Sequence, residues 1–109
     1  MAGMEDLAGL RIKHASVSGN TDGMTLVAAV TGKRIKVLQY CLVVSGTGAI
    51  QFKSATTALS GAMPGVANSQ FTGGGYCPDG HVITAASEAL NLGNSSTLTV
   101  TGYLVYVEA

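Results

Sequence analysis

The sequence predicts an all-β domain, a sandwich or barrel of seven or eight short antiparallel strands. Short runs rich in Val, Ile, Thr and Tyr alternate along the chain with clusters of Gly, Asn, Asp and Ser, a pattern typical of strands joined by turns. No window of useful length has helical periodicity. The chain has 109 residues, 47% of them apolar, which suits one compact domain with a core and excludes a disordered chain.

Four strands are predicted in the first half of the chain, and turn-favouring residues separate them. Residues 11–18 alternate polar and apolar side chains up to a Gly-Asn-Thr-Asp-Gly loop. The apolar run 24–30 ends at Thr-Gly, and the long run 33–45 ends at Gly-Thr-Gly, a turn of hairpin length. Residues 49–54 (AIQFKS) follow that turn as the fourth predicted strand.

The second half of the chain contains four more predicted strands and one loose region. Residues 64–80 are the loosest stretch because Gly and Pro cluster there. The last run is the strongest, since Thr and apolar residues alternate through TLTVTGYLVYV. The four predicted strands are 58–63, 81–84, 89–92 and 97–107.

Residues 1–10 precede the first strand and are interpreted as an N-terminal arm, which leaves residues 11–109 as a single β-sandwich domain. The arm combines Met4, Leu7 and Leu10 with two acidic residues, and such a segment can order when it docks on a partner. The alternative is a terminus that is simply frayed. The chain shows no secretory signal and no apolar run of the ~18 residues that a membrane-spanning helix needs. We therefore expect a protein made in a cytoplasm, without a membrane partner.

Charged residues are scarce in this chain. Six Lys and Arg balance six Asp and Glu, so the net charge is zero, and charged residues make up 11% of the sequence against ~25% in ordinary soluble domains. A neutral chain lacks the surplus of basic side chains with which nucleic-acid-binding proteins neutralise phosphates. Weak charge favours a surface partly covered by copies of the chain or by a partner. The alternative is a Ser- and Thr-rich monomer.

Two predicted strands are apolar on both faces over part of their length. Unbroken alternation places Ile35, Val37, Cys41 and Val43 on the core face of the third strand. It likewise places Leu98, Val100, Leu104 and Tyr106 on the core face of the last strand. The opposite apolar faces need a cover, and another subunit is favoured over the loop 64–80. The predicted contact residues between copies are Leu38, Tyr40, Leu42, Tyr103, Val105 and Val107.

Residues that carry enzyme chemistry are few and scattered. Cys77, His81 and Glu88 are the one group that resembles a metal-binding set, but their spacing matches no zinc motif. The glycine clusters are followed by no helix that could hold a phosphate. The sequence therefore predicts no enzyme, no catalytic residue, no metal site and no cofactor. A small enzyme or cofactor-binding barrel built on those three residues is kept as a rival hypothesis.

The two cysteines are too few for a disulfide-stapled scaffold. Cys41 lies within an apolar strand pattern and is interpreted as a small core residue. Cys77 precedes Pro78 in the loose region and is expected to be more exposed. A bridge between the two is the less favoured alternative.

Three segments resemble a known group of proteins. Residues 52–63 (FKSATTALSGAM), 88–92 (EALNL) and 102–107 (GYLVYV) are similar to small phage-encoded virion proteins of the jelly-roll type, which decorate capsids as trimeric cement or head-fibre modules. The resemblance covers roughly residue 33 to the C-terminus. It implies a jelly-roll β-sandwich, a subunit arrangement similar to the tumour-necrosis-factor type, and no catalytic residues or cofactors.

This resemblance implies a capsid decoration protein on the outside of a virion. Such a protein would assemble as a homotrimer through the six contact residues and bind the major capsid protein, with the arm residues Met4, Leu7 and Leu10 as the docking segment. The alternative is a tail-fibre or receptor-binding tip, in which the loops around residues 73–75 and Asp79 contact a host glycan.

Overall fold

The predicted strands form two antiparallel sheets that pack face to face as a β-sandwich. The computed structural model describes residues 11–72, 80–96 and 98–109, and this part of the chain contains strands, turns and irregular segments without a helix. None of it therefore forms a helix that could cross a membrane. The predicted arm, residues 1–10, lies outside the described residues, as do residues 73–79. The strands are β1 (Lys13–Gly19), β2 (Met24–Val27), β3 (Ile35–Val44), β4 (Gly48–Ser54), β5 (Thr57–Ala58), β6 (Met63–Gly65), β7 (Gln70–Thr72), β8 (Val82–Ile83), β9 (Leu90–Asn94) and β10 (Val100–Glu108).

The first four strands of the chain are assigned alternately to the two sheets. The first sheet has the order β1-β10-β3-β7, with β8 also paired to β3. The second sheet has the order β2-β9-β4-β5, with β6 also paired to β4. Three consecutive pairs, β1 with β2, β3 with β4 and β9 with β10, therefore lie in opposite sheets at matching positions, whereas β5 and β6 stay in the sheet of β4.

The core lies between the sheets and is built from the inward side of each strand. Phe52 and Leu92 from the second sheet meet Leu42 and Leu104 from the first, and none of the four is more than 1% exposed. Burying a side chain of this size contributes about 1.5–3 kcal/mol before ordering costs are subtracted. The alternation that predicted an all-β sandwich is thus confirmed by the packing.

The segment 58–63 was predicted as one strand, and this is wrong. The structure has two short strands there, β5 and β6, on either side of residues 59–62. Pro64 lies within β6, opposite Ala49 of β4. Proline is tolerated there because β6 lies at the edge of its sheet, where the missing N–H removes no hydrogen bond on the outer side. The region predicted to be loose also contains β7, which pairs with β3.

A buried asparagine organises the turn between β9 and β10. Asn94 is 2% exposed, and its amide donates to the carbonyl oxygen of Leu98 at 2.6 Å. Its Oδ1 accepts from the Leu98 N–H at 2.8 Å. Because both polar atoms are paired, burying this amide carries no unpaired-group penalty. The turn therefore fixes the start of β10, the strand that contains much of the candidate site.

Candidate functional site: the outer face of the first sheet

A β-bulge at Leu38 determines which residues of β3 face outward. In the ladder between β10 and β3, Val105 lies opposite Gln39, whereas Tyr106 lies opposite Val37. Leu38 is therefore an extra residue on β3. A bulge of this kind interrupts the alternation of side chains along its strand. Before the bulge, the odd-numbered residues Ile35 and Val37 face the core. After it, the even-numbered residues Leu42 and Val44 do.

The bulge corrects the sequence-based assignment of β3. Leu42 was predicted to contact another copy, but it is 0% exposed within the core cluster. Tyr40 was predicted there too, and it also packs against the core. Its ring meets the ring of Phe52 edge to face at 5.0 Å. Cys41 and Val43, which were assigned to the core, are half-buried and stand outside that cluster.

The faces of β10 agree with the prediction. Val100 and Leu104 are fully buried in the core, and Tyr106 packs against them. On the other side, Tyr103 is 46% exposed and Val105 is half-buried. Tyr103 and Val105 therefore face outward as predicted, whereas Val107, predicted on the same face, is 0% exposed. The role of Tyr103 and Val105 as contacts between copies stays a prediction.

Four residues form an apolar surface on the outer face of the first sheet. Tyr103 of β10 lies directly opposite Cys41 of β3 in the ladder, and Val43 and Val105 continue the same face. We call Cys41, Val43, Tyr103 and Val105 the outer patch. Cys41 carries a free thiol, whose sulfur accepts a 3.4 Å hydrogen bond from the Gln70 amide. The patch is a largely uncharged surface on a strand pair at the middle of its sheet.

A second apolar group adjoins the outer patch at the bulge. Leu38 and Val107 are both 0% exposed, and Ile12 and Val105 pack against them. This set is separate from the core between the sheets. We call Ile12, Leu38 and Val107 the bulge cluster. Since Leu38 and Val107 are already buried, they are not free to contact another copy as predicted.

The residues considered for chemistry are engaged in separate structural contacts. His81 is exposed and lies edge to face with Tyr40, with ring centroids 5.7 Å apart. Glu88 accepts a 2.5 Å hydrogen bond from the hydroxyl of Ser54. Ser54 is 2% exposed, and its oxygen also accepts from the Ala85 N–H at 2.9 Å. Glu88 and Ser54 thus fasten the segment before β9 to the end of β4.

Within residues 11–72, 80–96 and 98–109, no three His, Cys, Asp or Glu side chains come together as a metal-binding group. Cys77, the third member of the set considered above, lies outside the described residues. The less favoured alternative of a bridge to Cys41 is not formed, since Cys41 carries a free thiol. The glycine-rich loop and Asp79 of the glycan-binding alternative lie outside the described residues as well.

An ion pair joins the start of β1 to the end of β10. The ammonium of Lys13 at the start of β1 donates to the Glu108 carboxylate at the end of β10. This hydrogen bond raises the pKa of Lys13 above its ordinary value of 10.5. The Lys13 side chain is exposed while that of Glu108 is mostly covered, and ion pairs with an exposed partner contribute little to stability.

The outer face could be found from sequence except at the bulge. Lys36 and Gln39 both occupy polar, partly exposed positions on β3, yet they are three residues apart. In a strand with unbroken alternation, two residues on the same face are an even number of positions apart. This odd spacing is the signal that the alternation changes between them, and it identifies Cys41 and Val43 as outward-facing residues.

Comparison with known proteins gives no relative from which a role could be transferred. The chain matches no protein-family model, no curated protein and no solved structure.

Proposed function

We propose that this chain is a non-enzymatic virion structural protein, a capsid decoration protein that assembles as a homotrimer and binds the major capsid protein on the outside of the head. Its role is mechanical. Many weak contacts from an array of trimers bridge neighbouring capsid subunits, and multivalency makes the array hard to remove. It would be made in the host cytoplasm and act on the finished particle.

The observation that carries this proposal is the outer patch. Tyr103 is 46% exposed and lies beside Cys41, Val43 and Val105, while polar residues such as Ser16 and Gln39 border this group on the same face. Exposed apolar surface on a strand pair favours contact with another protein, and tyrosine is enriched in such contacts. Around a three-fold axis, one patch per subunit would meet its neighbours. The contact residues retained from the sequence prediction are Tyr103 and Val105.

The strand order supports a jelly roll as the form of the sandwich. Each sheet has a four-strand path, β1-β10-β3-β7 in one and β2-β9-β4-β5 in the other. Pairs such as β1 with β10 and β2 with β9 occupy matching places, as they do when one antiparallel ribbon is rolled into two sheets. This wrapping agrees with the resemblance of residues 33–109 to jelly-roll virion proteins.

Counting copies per particle tests the proposed function. Virions of the virus that encodes this chain would be purified and their protein composition measured by quantitative mass spectrometry, with the major capsid protein as the internal reference. A decoration protein is expected at a ratio near one copy per capsid subunit or per few subunits. A few copies per particle would instead support the tail-fibre tip, and absence from purified particles would overturn both.

A further inference from the structure

We infer that the outer face of the second sheet binds a single neutral sugar residue, in a space that we call the polar groove. The groove lies over β4 and β9, on the side of the sandwich away from the outer patch. Copies that meet through the first sheet would therefore leave it open. This inference does not rest on the proposed function. The lining of the groove includes Asp22, Gln51, Lys53, Ala62, Gly93 and Ser95.

A glycine makes the space for the polar groove. Gly93 of β9 lies directly opposite Gln51 of β4. An added Cβ at Gly93 would lie 2.9 Å from Cε of Lys53 and 3.4 Å from its Nζ, so the lysine side chain extends across the position that another residue would fill. The groove has a volume of about 220 Å³, below the ~300–1,000 Å³ of sites for drug-sized ligands. This size suits one sugar ring.

Lys53 brings an unpaired ammonium to the groove. Its side chain is only partly exposed, since it lies over Gly93, and it has no hydrogen-bond or ion-pair partner in the described part of the chain. Asn91 lies opposite Lys53 in the ladder, yet the buried Oδ1 of Asn91 has no partner among the described residues. The ammonium is thus not engaged by its neighbour, and its donors are free for a ligand.

Asp22 brings a fixed acceptor from the loop between β1 and β2. Its Oδ1 accepts from the Asn94 N–H at 2.8 Å, which holds the carboxylate against the end of β9. Its second oxygen accepts from no other described residue. Asp22 and Lys53 form no ion pair with each other. The groove therefore presents an acceptor and a donor that do not satisfy one another.

The other polar side chains of the groove are held in place by the protein itself. The amide of Gln51 donates to the carbonyl oxygen of Ser60 at 2.8 Å. The Oγ of Ser95 accepts from the Ala49 N–H at 2.9 Å, and the Ser95 N–H donates to the Ala49 carbonyl oxygen at 3.0 Å. A ligand would meet walls that are already ordered, which lowers the entropy cost of binding.

These groups favour a neutral ligand rich in hydroxyl groups. The charges of Asp22 and Lys53 balance, so a ligand with one net charge would be attracted by one of them and repelled by the other. A hydroxyl both donates and accepts, so neighbouring hydroxyls of one ring can donate to Asp22 and accept from Lys53. Hydrogen bonds to charged groups are the stronger kind. Ala62 adds a small apolar surface that matches the C–H groups of a sugar.

Amide chemical shifts of the isotope-labelled full-length protein test this inference. Glucose, galactose, mannose and N-acetylglucosamine would be titrated separately to millimolar concentration, with alanine as a zwitterionic probe and inorganic phosphate as an anionic one. We expect at least one sugar to shift the amides of Lys53, Gly93 and Ser95 saturably, while the amides of Tyr103 and Val105 on the first sheet stay unchanged. Alanine and phosphate should shift none of them.

Two variants and a matched control locate the site. Gly93→Ala places a methyl group where the Lys53 side chain now lies, and Lys53→Met keeps a long side chain but removes its charge. Each folded variant should bind the sugar about tenfold more weakly or worse, since a hydrogen bond to a charged group is lost. Thr25→Ala, on the same outer face but outside the groove, should bind as the unmodified protein does.

Three results would overturn the inference. One is the absence of shifts at the groove amides with all four sugars. Another is that alanine or phosphate shifts these amides as strongly as the sugars do. The third is unchanged sugar binding in either folded variant. The number of copies per particle is unaffected by any of these results, so the proposed function is tested separately.

Discussion

The two sheets of the sandwich share one core but differ on their outer faces. The second sheet presents Gln51 and Lys53 of β4, Thr25 of β2, and Gly93 of β9, which are polar or lack a side chain. The first sheet presents the outer patch, with Tyr103 46% exposed, among polar residues such as Ser16 of β1 and Gln39 of β3. An antiparallel sheet with one polar face can meet water directly. The first sheet therefore differs from the second in exposing a small apolar group, and this group is where we propose that copies of the chain meet.

The largest expected effect is a difference in stability between alanine substitutions at two glycines, one in each sheet. At Gly102 of β10 the backbone φ is +148°, and an added Cβ would lie 1.9 Å from the carbonyl oxygen of Cys41. At Gly93 the nearest atom would be Cε of Lys53 at 2.9 Å, the far part of a flexible side chain. We expect Gly102→Ala to lower the free energy of unfolding by about 3 kcal/mol or more. Gly93→Ala should stay within about 1 kcal/mol of the unmodified protein.

Urea unfolding of the two alanine variants would measure this difference. Equal losses would contradict the close approach of β10 to β3 at Gly102, since a backbone oxygen cannot move aside as a lysine side chain can.

A smaller difference in stability is expected between alanine substitutions at two adjacent residues on opposite faces of β3. Leu42→Ala removes a fully buried side chain from the core and is expected to cost about 2–5 kcal/mol. Val43→Ala trims a half-buried side chain of the outer patch, and we expect about 1 kcal/mol or less. The comparison is made by chemical denaturation. A larger loss of stability for Val43→Ala would mean that Val43, and not Leu42, faces the core. That result would contradict the bulge at Leu38.

The smallest expected effect comes from the ion pair between β1 and β10. Because the pKa of Lys13 is raised in the folded protein, its contribution is fully present below the ordinary value and is lost as the pH rises through the folded value. The difference in melting temperature between the unmodified protein and Lys13→Gln should therefore be small and constant near neutral pH. It should shrink above pH 10.5. A difference in melting temperature that grows with alkaline pH would mean that folding lowers the pKa of Lys13. That result would contradict its pairing with Glu108.

The sequence was sufficient for the fold class and for β10, and the reason is local. Val100, Leu104 and Tyr106 alternate with Tyr103 and Val105 without interruption, so period-two reasoning assigns both faces correctly. β3 has the same composition, but Leu38 adds one residue to the ladder. A single extra residue exchanges the two faces for the rest of a strand. Composition could not reveal this, although the spacing of Lys36 and Gln39 does.

The remaining differences arise from pairing between residues distant in the chain. Pro64 was placed in the loosest stretch of the chain, yet it lies in β6, at an edge beside β4 where the absence of its N–H is tolerated. Ser54 and Glu88 are 34 residues apart, and their hydrogen bond depends on how β4 meets the segment before β9. No local pattern contains that information, because it follows from the order of strands in the sheets.

Native mass tests the central claim, that the outer patch is where copies of this chain meet. Light scattering after gel filtration would be measured for the unmodified protein, for Tyr103→Asp, and for Thr25→Asp as the matched control on the outer face of the second sheet. The unmodified protein and the control should give three times 11.0 kDa, which is 33 kDa. Tyr103→Asp should give a folded 11.0 kDa monomer. A monomeric unmodified protein, or a trimer that Tyr103→Asp leaves intact, would contradict the claim.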